Sequence, residues 1–149
     1  MIYTVSEAAK ILNVAPSTIR YYDKEGLLPF VERTDGGIRV FKEKDFDCLF
    51  IIDCLKKSGL SIKDIKSYIN MVFKGDETID ERLALFQKQR EKVIKQIDEL
   101  NQTLAILDYK CWYYKKAKEA GTTDVPQNMP IEEIPEHLCK AKAELDRLR

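Results

Sequence analysis

The chain has 149 residues, and its 25 Lys and Arg balance 25 Asp and Glu. A net charge of zero gives bulk charge no role in nucleic-acid binding and predicts modest non-specific affinity for it, while the length fits one domain or a small domain with an appendage. No stretch of 18 apolar residues suggests a membrane span, Glu7 and Lys10 interrupt any signal-like start, and Cys48, Cys54, Cys111 and Cys139 form no CxxC pair, so the expectation is a cytoplasmic protein with reduced thiols rather than a disulfide framework.

Thr4-Val-Ser-Glu7 reads as a capping box that opens a short helix carrying Ala8, Ala9, Ile11 and Leu12. A tight turn at Asn13-Val14-Ala15 follows. Pro16 then suits the first position of a second helix, where its missing N–H costs nothing, and Gly26 is the residue type that closes one. Ser17, Thr18, Arg20, Tyr21 and Tyr22 crowd the first half of that second helix. Hydroxyls, a guanidinium and phenols are the groups that reach phosphates and base edges. Two short helices joined by a tight turn, the second polar at its start, make a helix-turn-helix.

From Leu27 to Phe41 the pattern changes. Pro29 breaks the helix, Asp35-Gly36-Gly37 marks a turn, and the flanks Phe30–Arg33 and Ile38–Phe41 favour strand. A two-stranded hairpin, a wing, is predicted, with Arg33 and Arg39 near its tip. A lone hairpin is marginal and must lean on the helices.

Residues 44–57 are helical in pattern, with Phe46, Leu49, Phe50, Ile52 and Leu55 on an apolar stripe and Gly59 as the stop. Ser61-Ile-Lys-Asp64 opens the next helix, with Ile62, Ile65, Tyr68, Ile69 and Val72 inward and Gly75 at its end. Thr78-Ile-Asp-Glu81 reads as a further capping box. A long helix comes next. Ile79, Leu83, Phe86, Val93, Ile97, Leu100, Leu104, Leu107 and Tyr114 recur at alternating spacings of four and three, with Arg90 and Cys111 completing the series. This is a coiled-coil seam rather than a surface helix. A helix of about 40 residues runs about 60 Å and has no partner of comparable length in the chain. Each buried Leu or Ile contributes about 1.5–3 kcal/mol, so the seam calls for a second copy. The competing arrangement folds the helix against its own head. Gly121 ends the helix, and a Pro-containing tail with a short helix over 136–149 follows. The expected organisation is therefore a mainly α chain: a winged helix-turn-helix head (1–75), a coiled-coil dimerisation helix (76–120) and a short tail or effector region (121–149).

This order of elements resembles the MerR family of bacterial transcription regulators. The resemblance also rests on the wording Thr18-Ile-Arg-Tyr-Tyr-Asp-Lys-Glu-Gly-Leu-Leu28 and Lys57-Ser-Gly-Leu-Ser-Ile-Lys-Asp-Ile65. It covers residues 2 to 75 closely and the coil by architecture. It implies a homodimer joined by an antiparallel coiled coil, bound to a palindromic operator in double-stranded promoter DNA. It further implies kinking and untwisting of that DNA, so that RNA polymerase is affected indirectly. It places Ser17, Thr18, Arg20, Tyr21 and Tyr22 on recognition-helix contacts, Arg33 and Arg39 on wing contacts to the backbone, and Lys56 near a second wing made by the turn through Gly59. Many members have Tyr where this chain has Ile38. The other reading of the two tyrosines is that one packs into the core.

The resemblance also frames the effector. Metal-sensing members place a Cys at the start of the long helix, where this chain has Gly75-Asp-Glu-Thr78. His137 and Cys139 supply two soft ligands where a metal site needs more. No metal and no cofactor are therefore expected, although a metal-responsive regulator remains an alternative. A subgroup responsive to aldehydes and other thiol-reactive electrophiles carries a Cys at the position of Cys54. Lys56 and Lys57 would favour its thiolate and Asp53 would oppose it. Two readings stand for Cys54: a reactive sensor, or a small residue filling a core gap. A second candidate is the aromatic run Tyr109, Cys111, Trp112 and Tyr113, which in an antiparallel dimer meets the other subunit's head and is read either as a pocket at that junction for a small planar or apolar ligand or as packing between tail, coil and the neighbouring head. A thiol enzyme using Cys54 or Cys111 has a single His to draw on, so no enzyme is expected. An architectural DNA-binding protein without an effector is the remaining rival.

Overall fold

The computed structural model describes residues 1–147. The chain enters through β1 (Ile2–Tyr3), too short to carry a sequence signal, which pairs antiparallel with β3 (Arg39–Lys42). The capping box at Thr4 forms as its sequence requires. The Thr4 hydroxyl accepts the Glu7 N–H at 3.3 Å, and the Glu7 carboxylate accepts the Thr4 N–H at 2.8 Å. The Thr4 N–H, and the Thr4 hydroxyl donating to the same carboxylate at 2.9 Å, favour its charged form and lower its pKa. Helix α1 (Val5–Ile11) follows, then a turn in which Asn13 takes a φ of 54°. Asn tolerates this left-handed conformation better than most residues. Helix α2 spans Pro16–Lys24 with Pro at its first position.

The wing is β2 (Glu32–Arg33) against β3 (Arg39–Lys42), in register Glu32 to Val40 and Arg33 to Arg39. The turn between them closes with the Thr34 N–H on the Ile38 carbonyl at 2.8 Å and Gly37 at a φ of 80°. The three strands form one sheet in the order β1-β3-β2. Helices α3 (Glu43–Lys57) and α4 (Ile62–Lys74) complete the head. Its core is Ala8 and Ala9 from α1, Ile19 and Tyr22 from α2, Leu27, Leu28 and Phe41, then Leu49, Ile52 and Leu55 from α3 with Ile65 and Ile69 from α4. Phe50, expected on the inward stripe, is 64% exposed, and Val72 lies at the surface. Leu49, Ile52 and Leu55 already fill the α3 face, and residues adjacent in a helix point about 100° apart.

Thr78 does not cap the long helix. Its hydroxyl donates backward to the carbonyls of Met71 (2.6 Å) and Gly75 (2.9 Å). A 3₁₀ turn, Gly75–Thr78, thereby joins α4 to α5 (Ile79–Ala120, 42 residues). The first compact unit runs from Met1 to Lys92. Leu85 and Phe86 of α5 pack against the head core, with Phe86 edge-to-face on Tyr68 at 5.4 Å.

The second unit begins at Val93. There the seam residues Ile97, Leu100, Leu104 and Leu107 are all more than half exposed, Leu100 at 67%. After Gly121 the tail forms α6 (Asp124–Gln127), a 3₁₀ turn (Ile131–Glu133) and α7 (Glu136–Asp146). The last residues of the tail helix expected over 136–149 lie outside the described residues. Ile134, Leu138 and Ala141 bury themselves around Tyr109, with Ile106, Trp112, Tyr113 and Met129 packed beside them.

Candidate nucleic-acid interface and sensor residues

Ile19 and Tyr22 of α2 point into the core, three residues apart on one face. The opposite stripe carries Ser17, Arg20, Tyr21 and Lys24, all exposed, with Thr18 half-buried beside them. Those four sit at helical spacing, so they form one continuous outer face. No side chain caps the start of α2.

Tyr21 and Tyr22 part company. Tyr21 is 44% exposed; Tyr22 is 4% exposed. The Tyr22 hydroxyl donates to Asp53 Oδ1 at 3.2 Å. Burial and then the Asp53 charge push its phenol up to about 12. The expectation that Tyr22 faces DNA is therefore corrected: its ring is core and its hydroxyl is already engaged.

The wing is tied to α2 by charge. Arg33 donates to Asp23 Oδ2 at 3.1 Å and to the Gly37 carbonyl at 3.0 Å. Arg39 pairs with the same Asp23 oxygen. Arg33 keeps half its side chain exposed and projects from the wing. Arg39 is largely covered, and its Nε is buried without a hydrogen-bond partner among the described residues. It is a clamp on α2 more than a residue of the tip. Lys42 spans the hairpin to Glu32 at 2.6 Å. Ile38, at the position where a Tyr was noted as common, is exposed. Lys56 is exposed in the last turn of α3, just before the Ser58–Gly59 turn.

Cys54 lies on the surface of α3 and fills no core gap. Of its neighbouring lysines, Lys57 is engaged with Asp53 Oδ2 at 2.6 Å. Cys48, which sequence reasoning passed over, lines a cavity of about 300 Å³ with Phe30, Ile51, Tyr68, Val72 and Phe73. Burial and the nearby Asp45 and Asp47 push its thiol pKa up, which lowers the thiolate fraction. Cys111 is exposed.

The aromatic run is not an open pocket. Tyr109 is buried, and Trp112 and Tyr113 are half-buried in the cluster that includes Ile134 and Leu138. The space beside Tyr109, Lys110 and Tyr113 is about 20 Å³, room for no more than a water. The chain's own tail packs on this run. Among the described residues, no group of three or more His, Cys, Asp or Glu side chains is placed to hold a metal ion, and no helix is long and apolar enough to cross a membrane.

Residues 3–72 match the family described as MerR HTH family regulatory protein, and residues 48–109 that described as MerR, DNA binding. An HTH-type transcriptional regulator of Haemophilus influenzae is 45% identical over 136 residues, spanning 91% of this chain and 98% of its own. The chain belongs to the MerR family. A solved MerR-family regulator, HiNmlR, described as lacking the sensor domain and bound to promoter DNA, is 44% identical. It aligns with a TM-score of 0.81 over 91% of this chain and 100% of its own. AdhR, an HTH-type transcriptional regulator of Bacillus subtilis, is 33% identical over 91 residues, covering 61% of this chain and 65% of its own. For a MerR-family head, the residues missed from sequence are the ones that hold its parts in register: Asp23, Asp53 and Gln89. Each acts on a partner distant in the chain, and no local pattern marks it.

Proposed function

We propose that this chain is a homodimeric transcription regulator. It binds a palindromic promoter site through α2 and the wing, distorts that DNA, and changes the distortion when a thiol-reactive electrophile or other small molecule is sensed. The observation that carries the DNA reading is the outer stripe of α2, Ser17, Arg20 and Tyr21 at helical spacing, beside a wing fastened to the same helix through Asp23. Side chains presented this way on a second helix suit the major groove. The exposed Leu and Ile seam of α5 supports pairing with a second copy through an antiparallel coil. RNA polymerase enters only through the reshaped promoter.

The test starts from an operator selected out of random duplex DNA. Arg20→Ala should weaken specific binding by about 1–3 kcal/mol at fixed salt if the guanidinium reads a base, with the oligomeric state unchanged. Equal affinity of variant and wild type removes Arg20 from the readout. The sensor reading rests on Cys54, an exposed thiol in the last turns of α3. Cys54→Ser should bind the operator normally and lose induction by formaldehyde or 1,4-benzoquinone. Mass spectrometry after brief treatment should find the adduct on Cys54. Full induction of the serine variant defeats the thiol reading.

A further inference from the structure

Helix α3 meets its neighbours in the head mostly through Leu49, Ile52 and Leu55. Ridge-into-groove packing confines the crossing angles to a few classes with a scatter of about 15–20°, and directional hydrogen bonds narrow the choice within a class. The C-terminal turn of α3 carries two, on different elements. On one side Asp53 accepts the Tyr22 hydroxyl of α2 at 3.2 Å, with Lys57 holding the other carboxylate oxygen. On the other side the Ser58 hydroxyl, which donates to the Leu55 carbonyl at 2.7 Å, accepts the Gln89 amide of α5 at 3.1 Å. The Ser58 N–H bonds the Cys54 carbonyl at 2.9 Å, so the second tie is anchored on the backbone of the residue read as the sensor.

Gln89 is unusual for its place. It is 4% exposed, and its Oε1 is buried with no partner among the described residues. A buried amide with one unmatched acceptor costs stability that a leucine of similar size would not. Its effect is specific: it fastens α5 to the turn between α3 and α4. The tie spans 31 residues of sequence, as does Tyr22 to Asp53. The recognition helix and the long helix are therefore bonded to the same turn, less than two helical turns of chain apart.

We infer that Tyr22–Asp53 and Ser58–Gln89 form a hydrogen-bonded relay that sets the angle of the recognition helix relative to α5, with Tyr22 and Gln89 as positioning residues that control how far bound DNA is distorted rather than how tightly it is held. The inference rests on the reading that this chain binds and bends an operator as a dimer. It concerns the resting geometry and needs no electrophile.

The experiment uses the full-length dimer and the selected operator carrying donor and acceptor dyes at its two ends, together with basal transcription from the same promoter in vitro. Gln89→Leu keeps the volume and removes the amide; Tyr22→Phe keeps the ring and removes the hydroxyl; Ser58→Ala removes the acceptor. Each should keep the operator dissociation constant within threefold of wild type. Each should shift the energy transfer of the bound duplex and change basal transcription at least fivefold. The Ser58→Ala/Gln89→Leu double variant should differ no more than its stronger single, and Ser58→Thr, which retains a hydroxyl, should behave as wild type. Thermal melting provides a second readout. A Gln89→Leu chain that melts no lower than wild type yet bends DNA differently supports a positioning role. If wild type bends the operator and both Gln89→Leu and Tyr22→Phe bend and transcribe within twofold of it, the relay is wrong. Full additivity in the double variant is equally fatal. A wild-type chain that leaves its bound operator straight defeats the underlying reading and the relay with it.

Discussion

The head and the long helix use the same apolar residues to opposite ends. In the head, Leu27, Leu49, Ile52, Leu55 and Ile65 are fully enclosed by other elements of the same chain. Along α5 beyond Val93, Ile97, Leu100, Leu104 and Leu107 each leave more than half their surface exposed among the described residues. One region satisfies its hydrophobic pattern internally, and the other leaves it unsatisfied. The contrast teaches that folding and assembly are separable here: the head has what it needs to fold, while the coil has a reason to find a second copy.

That separation can be broken from either side. The largest effect is expected in the head. Leu49→Ala empties a fully buried site and should destabilise by about 2–5 kcal/mol, seen as a lower chemical-denaturation midpoint with the coil's association retained until the head melts. A loss below 1 kcal/mol would mean the core around α3 collapses to fill the gap. Next comes Leu100→Lys. It forfeits about 1.5–3 kcal/mol of burial per chain in the proposed dimer and places a charge in the interface. Sedimentation should show monomer at micromolar concentration, with the near-ultraviolet signature of the head tyrosines intact. An unaltered dimer would overturn the seam assignment; a wild-type monomer would overturn the dimer itself. The smallest effect sharpens the comparison from within the head. The Tyr22 phenol has its folded pKa raised to about 12, above the ordinary value near 10. The neutral form is the one the fold favours, so its contribution is fully present below pH 10 and lost as pH rises through 12. Tyr22→Phe should remove that part of the alkaline loss of stability. If denaturation profiles of the two proteins stay parallel between pH 9 and 12, the burial of Tyr22 is not what the fold relies on.

Local chemistry was legible in the sequence and remote chemistry was not. The cap at Thr4, the turn at Asn13, the Gly-rich wing tip and the 42-residue helix all depend on residues within a few positions of one another, and periodicity or turn rules find them. The misses differ in origin. Tyr21 and Tyr22 are identical in type and adjacent, and helix phase separates them: Tyr22 lies three residues from buried Ile19 and meets Asp53, while Tyr21 faces out. Thr78 has the spacing of a capping residue, but the end of α4 lies close enough to take its hydroxyl first. Asp53 lies 31 residues from Tyr22, whereas Thr78 turns back only seven residues to Met71, where the end of one helix competes with the start of the next.

Asp23 gives the wing a property that concerns kinetics and ionic atmosphere rather than fold. It is a counterion built into the protein, already seated on Arg33 and Arg39 before any nucleic acid arrives. Where a free lysine meets a phosphate, condensed cations leave the DNA and binding strengthens steeply as salt is lowered. Two arginines that share one carboxylate keep a net charge of one, so in the proposed contact with DNA the pair counts toward that steepness as one free cation rather than two. On that proposal the wing adds shape with less indiscriminate stickiness than its two arginines alone would bring. A chain of zero net charge that searches a genome full of wrong sites is spared long residence at each of them.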